Sequence, residues 1–213
     1  TMMASVARYY NVDHIAKAFI RKHKRCNIVY LGAGLETAYY RLSESTPLFY
    51  EVDLPDVIEY RRNLLGEHEN ERLIGGDLFD FSWAESVDKS MPTMILASGV
   101  FQYFTEDRIL GFVDNLRRNF TEVELVFDAI NETGIKYANK YVRKTGNTSA
   151  AMHFFINDSN EFAERAGAHL IEERAFFTDA RRMLKKKLRL YTRIAMKIVD
   201  DKKRAILVHL AIN

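Results

Sequence analysis

The chain has 213 residues, a length that suits one α/β domain better than two. Lys plus Arg number 31 against 29 Asp plus Glu, and a net charge of +2 argues against a dedicated nucleic-acid binder, which carries a strong basic excess. The single cysteine, Cys26, excludes an internal disulfide framework; with no apolar run near the roughly 18–20 residues of a membrane span and no secretory signal, a cytoplasmic location is expected.

Thr1 precedes Met2, so the chain starts either on an added residue or inside a longer protein. No Pro/Gly/Ser-rich linker interrupts it, and a single domain over 1–213 is expected. Val12 to Lys22 places apolar residues at 12, 15, 16, 19 and 20, which is helical spacing. Asn27 to Leu31 is a buried strand, and Glu36 to Ser43 returns to helix. "LFYEVDL", Leu48 to Leu54, is a second strand. Pro55 then suits a first helical position and Gly66 the matching C-terminal cap. "RLIGGDL" is a short third strand, and "TMILASGV" is a fourth whose continuous apolar run fits the centre of a parallel sheet. "TEDRILGFVDNLRRNF" is a helix capped by Thr105, and "EVELVFDAI" is a fifth strand. Four crossovers through helices predict a parallel sheet covered on both faces.

Beyond Ile130 the pattern loosens. Glu132 to Arg143 reads as helix, and Thr145 to Ser159 as a polar lid. "SNEFAERAG" reads as a helix with Ser159 as N-cap, and "AHLIEERAFF" as strand. Ala180 to Val199 reads as one basic amphipathic helix with Leu184, Leu188, Tyr191, Ala195 and Ile198 on a stripe. Its cations, Arg181, Arg182, Lys185, Lys186, Lys187, Arg189 and Arg193, form a solvated face first, and a surface for an acidic partner or anionic membrane second. "KRAILVHLAIN" closes the chain as strand.

The chemistry-bearing stretch is "NIVYLGAGLETAYYRL", a strand that breaks into Gly32-Ala33-Gly34. Glycines there let backbone approach a ligand closely. A dinucleotide fingerprint would place a third small residue where Thr37 stands. The second strand ends at Asp53, about 20 residues on, where a carboxylate can accept both ribose hydroxyls. Nicotinamide dinucleotides and S-adenosylmethionine both carry that ribose, so the turn alone leaves both open. Two later strand ends favour S-adenosylmethionine. Asp77 stands where it can accept the adenine amine, with Leu78 against the ring, and Ser98-Gly99 bring backbone to the ligand's amino-acid end.

In order along the chain, "ARYYNVDHIAKAFI", "NIVYLGAGLETAYYRL", "FYEVDLP", "GDLFDF", "ASGVFQYF" and "VFDAI" resemble the leucine carboxyl methyltransferase family, which includes bacterial polyketide-synthesis O-methyltransferases. The likeness runs from about Ala7 to Ile130, with a weaker echo in "MHFFINDSNEF". It implies a Rossmann-like class I methyltransferase fold: a mostly parallel seven-stranded sheet with helices on both faces and one reversed strand near the C-terminus. It implies S-adenosylmethionine as cofactor and roles residue by residue. Arg8 would grip the cofactor carboxylate, Gly32, Ala33 and Gly34 form the cofactor turn, Asp53 hold the ribose, and Asp77 with Leu78 hold the adenine. Ser98 stands where many members have a Glu on the cofactor amine, Glu36 where Asp is usual, and Tyr103 near the transferring methyl. Residues 1–25 would form an N-terminal helical lid and 131–180 a substrate-side insertion. The short N-terminus implies a small-molecule acceptor rather than a protein tail.

Methyl transfer from a sulfonium is an in-line displacement that needs alignment and exclusion of water. A carboxylate acceptor is ionised at pH 7 and needs no base, whereas a hydroxyl usually does. No base dyad stands out; His153 in the lid is the single candidate, and Tyr137 and Tyr141 are candidate substrate contacts. No metal ligand set is assigned. The expected activity is O-methylation of a carboxylate or acidic hydroxyl. The alternatives are a nicotinamide-dependent oxidoreductase and a non-catalytic cofactor-binding module of the same fold.

Overall fold

The computed structural model describes residues 2–42, 47–144 and 150–213. Seven strands form one sheet in the order β3-β2-β1-β4-β5-β7-β6. They are β1 (Asn27–Leu31), β2 (Leu48–Asp53), β3 (Glu71–Gly75), β4 (Thr93–Ala97), β5 (Val123–Ile130), β6 (His169–Ala175) and β7 (Ala205–Ile212). The first five pair in parallel. Among the described residues only β7 runs against its neighbours, antiparallel to β5 and β6, which is the reversed strand expected near the C-terminus. Strand order reverses between β1 and β4, so the glycine turn after β1 and the Ser98-Gly99 bend after β4 flank the crevice where such sheets bind ligands.

Helices cover both faces: α1 (Met2–Lys22), α2 (Ala38–Leu42), α3 (Pro55–Leu65), α4 (Glu106–Asn119), α5 (Glu132–Lys144), α6 (Ser159–Arg165), α7 (Thr178–Met183) and α8 (Leu190–Asp201). One core lies between the sheet and α4 and α6, built on Trp83, Phe101, Phe112, Phe127 and Phe162. The other lies under α1 and α2, built on Val12, Ile15, Phe19, Phe49 and Met94. Burial pushes the Cys26 thiol in that second core up to about 11, so it is packing rather than a nucleophile.

Several sequence expectations change. Helix α1 starts at Met2, not Val12; Met, Ala and Arg are good helix formers, and Ala7 extends the buried face a turn backwards. The segment expected as a lid is therefore a core layer, and only its N-terminal turns reach the crevice. The crossover from β3 to β4 uses a 3₁₀ turn, Ser82–Ser86, instead of an α-helix. Helix α2 begins at Ala38 rather than Glu36, and the end expected at Ser43 lies outside the described residues, as does the first part of the lid expected from Thr145. The N-cap of α6 is Asp158, whose carboxylate accepts the Asn160 and Glu161 N–H groups, while Ser159 is buried and donates to Glu173. The basic helix expected over 180–199 is two helices, α7 and α8, separated by a turn at Leu184–Arg189. Its expected stripe is therefore broken, and Met196 and Asp200 are the buried residues of α8. Part of the expected substrate-side insertion belongs to the fold itself, since α6 and β6 complete a core layer and the sheet edge.

No helix among the described residues is long and apolar enough to cross a membrane. Phe127 on β5 touches Phe101, Phe154 and Phe162 at ring-centroid distances of 5.1, 6.1 and 5.9 Å. Phe127→Ala should lower unfolding free energy by about 3–5 kcal/mol through lost burial and a residual cavity, measured by denaturant unfolding.

Candidate functional site

The crevice is built from strand ends. Gly32 follows β1 with φ 61°, and a Cβ there would lie 2.6 Å from Val100 Cγ2. The position is closed to any side chain, so bare backbone faces the crevice. The Gly34 peptide is held on both sides. Its N–H donates to Asp53 Oδ2 at 2.7 Å, and its carbonyl accepts from Arg61 Nη1 at 3.2 Å. Asp53 Oδ1 accepts the Leu54 N–H at 2.7 Å. The two backbone donors fix the carboxylate at the rim of the cleft, and its remaining lone pairs are available to a ligand.

Arg61 on α3 works from behind the turn. It is fully buried, donates to the Glu36 carbonyl at 2.7 Å and to Glu71 at 3.1 Å, and lies 3.2 Å from Glu51. One guanidinium thus serves two buried carboxylates. Burial pushes Glu51 up to about 8, with Arg61 pulling the other way and Glu71 adding to the rise. Neither Glu51 oxygen has a hydrogen-bond partner among the described residues.

Two hollows meet at Gly32. The larger, about 410 Å³, is lined by Asp53, Asp77, Leu78, Val100, Tyr103 and Arg108, among others. Asp77 accepts the Phe79 N–H at 2.9 Å and faces Arg108 at 4.0 Å. The Arg108 guanidinium lies 4.0 and 5.1 Å from the ring centres of Phe79 and Phe104. The smaller hollow, about 190 Å³, is lined by Arg8, Tyr9, Tyr30, Gly32, Ala33, Glu36 and Ser98. Arg8 is fixed by the buried Asp128 of β5 at 3.0 Å. Asp128 also accepts the Gly99 N–H at 2.5 Å, and burial raises its carboxyl despite the pull of Arg8. Gly99 has φ 73°, and a Cβ there would sit 2.8 Å from Arg8 Nη1. The Tyr30 hydroxyl and the Arg8 Nε are buried with no partner among the described residues, polar atoms that a ligand in this hollow could satisfy.

Of the residues singled out from sequence, Arg8, Gly32, Ala33, Gly34, Asp53, Asp77, Leu78, Ser98 and Tyr103 gather around this crevice. His153 does not: it is exposed and lines a separate groove with Glu106, Phe155 and Asp158. Tyr137 and Tyr141 on α5 line neither hollow; both are exposed, and Tyr137 lies under Arg204 at 5.6 Å. Arg61, Arg108 and Asp128 were missed. The signal for Asp128 was an acid inside the apolar run "VFDAI"; an arginine inside a helix gave none.

The leucine carboxyl methyltransferase family model matches residues 2–117, more than half of the chain. The chain belongs to the leucine carboxyl methyltransferase family. The tetracenomycin polyketide synthesis O-methyltransferase TcmP of Streptomyces glaucescens is 25% identical over 181 residues, covering 82% of this chain and 67% of that protein. Leucine carboxyl methyltransferase 1 of Rattus norvegicus is 26% identical over 161 residues, covering 59% and 48%. The chain thus spans between about half and two thirds of these relatives. Magnesium protoporphyrin IX methyltransferase of Synechocystis, solved with bound S-adenosylhomocysteine, shares the fold with TM-score 0.58 and 11% identity, covering 100% of this chain and 86% of that one. A Streptomyces avermitilis protein of the DUF574 family does so with TM-score 0.68 and 15% identity, covering 100% and 83%. The methyltransferase class and S-adenosylmethionine as its cofactor, both expected from sequence, follow from this membership.

Glu51 makes stability depend on pH. Its carboxyl is near 8 when folded and has an ordinary carboxylate pKa when unfolded, so between about 4.5 and 8 the native state binds the extra proton. Its contribution to stability therefore falls as pH rises through that window. Denaturant unfolding at stepped pH should show a downward slope that Glu51→Gln flattens.

Proposed function

We propose that this chain binds S-adenosylmethionine across Gly32 and promotes methyl transfer to a carboxylate or acidic hydroxyl of a small molecule. The carrying observation is Asp53, which closes β2 on the wall of the larger hollow with its carboxylate pinned by two backbone N–H groups. In this reading the larger hollow takes the adenosine. Asp53 accepts the ribose hydroxyls, Asp77 the adenine amine, and Leu78 packs on the ring. The smaller hollow takes the amino-acid end. Arg8, oriented by Asp128, faces the carboxylate, while Glu36, Tyr30 and backbone carbonyls face the ammonium that the uncharged Ser98 cannot neutralise. The residues fit such a ligand: the Gly32 backbone is closed to side chains, and unpartnered buried polar atoms line the amino-acid end.

The bound cofactor would supply an electrophilic methyl on a sulfonium. The chain's part is alignment and exclusion of water. Tyr103 lines the larger hollow next to Val100 and is the residue best placed to orient an acceptor oxygen. With His153 turned to another groove, no histidine among the described residues lines either hollow to serve as general base, which supports an acceptor that is already ionised. TcmP, a polyketide O-methyltransferase, supports a small molecule; leucine carboxyl methyltransferase 1 supports a protein carboxylate as second reading. Incubation with a panel of small aromatic acids and phenols beside a peptide ending in leucine, read by mass spectrometry, separates them. Methylation of the peptide alone would overturn the first reading.

Asp53→Ala should weaken S-adenosylhomocysteine binding by about 1.5–3 kcal/mol, ten- to a hundredfold, in calorimetry with the fold intact. Arg8→Ala should weaken S-adenosylmethionine and S-adenosylhomocysteine alike but leave methylthioadenosine, which lacks the amino-acid portion, nearly unchanged. Arg8→Lys should rescue only partly, because an ammonium lacks the guanidinium's fork. An equal loss for methylthioadenosine would mean that Arg8 acts through the fold.

A further inference from the structure

From Thr178 to Asp201 the chain carries eight cations against three acids, a local charge of +5, which leaves −3 on the other 189 residues. The segment is the hairpin of α7 and α8 with the turn that carries Lys185, Lys186, Lys187 and Arg189. A groove of about 330 Å³ between the two helices is lined by Arg181, Arg182, Lys185, Arg193 and Lys197 together with Leu190 and Ile194, and by no acid. The three acids stand beside it: Asp200 holds Arg181 at 3.2 Å, Asp179 holds Arg182 at 2.8 Å, and Asp201 holds Lys197. Lys185, Lys186, Lys187, Arg189 and Arg193 have no carboxylate within salt-bridge distance among the described residues.

The apolar side chains are placed as unusually as the charges. Leu190, Ile194 and Ile198 recur every fourth residue, and all three are exposed, as is Tyr191 at 82%. Arg189, Arg193 and Lys197 recur with the same period one residue earlier. The helix buries Met196 and Asp200 instead, so its outward face pairs an aliphatic stripe with a cationic one. A solvated helix face would not expose that stripe. A ligand read by charge alone would leave the aliphatic stripe without a role.

We propose that this hairpin docks the protein on an anionic phospholipid surface. The lysines of the turn and the arginine stripe face the headgroups, and Leu190, Tyr191, Ile194 and Ile198 enter the boundary between headgroup and acyl chain. Interfacial helices bind by these two contributions together, and the electrostatic one is screened by salt. The hairpin lies on residues outside both cofactor hollows, so docking and cofactor binding are separable by mutation.

The test uses the full chain and sedimentation with vesicles, either phosphatidylcholine alone or an equimolar mixture with phosphatidylserine. Expected is binding to the mixture only, weakened by salt and abolished by Lys185→Glu with Lys186→Glu and Lys187→Glu. Leu190→Ser with Ile194→Ser should weaken it about tenfold. Calorimetry with S-adenosylhomocysteine should be unchanged in these variants, which separates lost docking from lost folding. Tyr191→Trp, at an exposed site, should shift its emission to the blue on the mixed vesicles. Failure to bind the mixture at low salt overturns the proposal. So does binding by charge alone, with no blue shift and no effect of the aliphatic pair, which would assign the face to an acidic protein. A blue shift that grows with protein concentration without vesicles would assign it to a second copy of the chain.

Discussion

The crevice depends on one buried cation. Arg61 reaches from α3 under the sheet edge and joins the two carbonyls of the glycine turn to Glu71 of β3, with Glu51 of β2 beside it. Within the turn only Ala33 has a side chain to pack, buried in the second core, and its N–H donates to the Val52 carbonyl at 3.1 Å; the glycines on either side contribute none. The turn's geometry is set from outside, by Arg61 on the carbonyl side of Gly34 and Asp53 on the N–H side. Removing the guanidinium would leave buried Glu71 with His68 as its side-chain partner, at 2.8 Å, and buried Glu51 with none among the described residues. Breaking a buried ion pair costs about 3–5 kcal/mol, several times the worth of an exposed ion pair. The raised Glu51 carboxyl fits this balance, since one cation cannot neutralise two buried acids.

A second set of charges fixes α1 over the same crevice. Arg41 of α2 binds Asp13 of α1 through two hydrogen bonds, at 2.6 and 2.9 Å, and Glu36 at 2.8 Å. Two residues earlier, Asn11 donates to the Phe176 carbonyl at 3.0 Å in a buried contact. Arg8 is thereby presented from a helix tied down at Asn11 and Asp13, with Asp128 holding the guanidinium itself. A ligand carboxylate meeting Arg8 would find a guanidinium already oriented, so little side-chain entropy remains to be lost on binding.

What could be read from sequence follows from where local chemistry decides the outcome. Strand ends are readable because an apolar run that stops at an acid or a glycine has few alternatives, as at Asp53 and Gly32; Asp77 stands two residues past the end of β3, after Gly75 and Gly76. Arg61, Arg108 and Asp128 are not readable, because a charged residue on a helix or inside a strand acquires its role only from partners distant in sequence. His153 was assigned from its place in a loop, and tertiary packing turned that loop toward Glu106. The basic stretch after Ala180 shows the opposite failure. Its 3.6-residue period is real, but Leu184 ends one helix and Leu190 opens another, so the periodic stripe does not survive the turn. Periodicity reports the potential to bury a face, and here the sheet takes a different face of α8.

Thr37, where a dinucleotide fingerprint would want a third small residue, has a structural explanation. That residue lets a helix abut its strand immediately after the glycine turn. Here α2 begins only at Ala38, so Thr37 still belongs to the loop. Its hydroxyl instead accepts from Arg41 at 2.7 Å, the same guanidinium that binds Asp13. The position that a dinucleotide-binding turn uses for close packing is used here to couple the turn to α1. Under the proposed reading, Glu36 and Tyr30 on the wall of the smaller hollow then serve the amino-acid end of a sulfonium cofactor, with Arg41 holding the Glu36 carboxylate at 2.8 Å from the side of the loop.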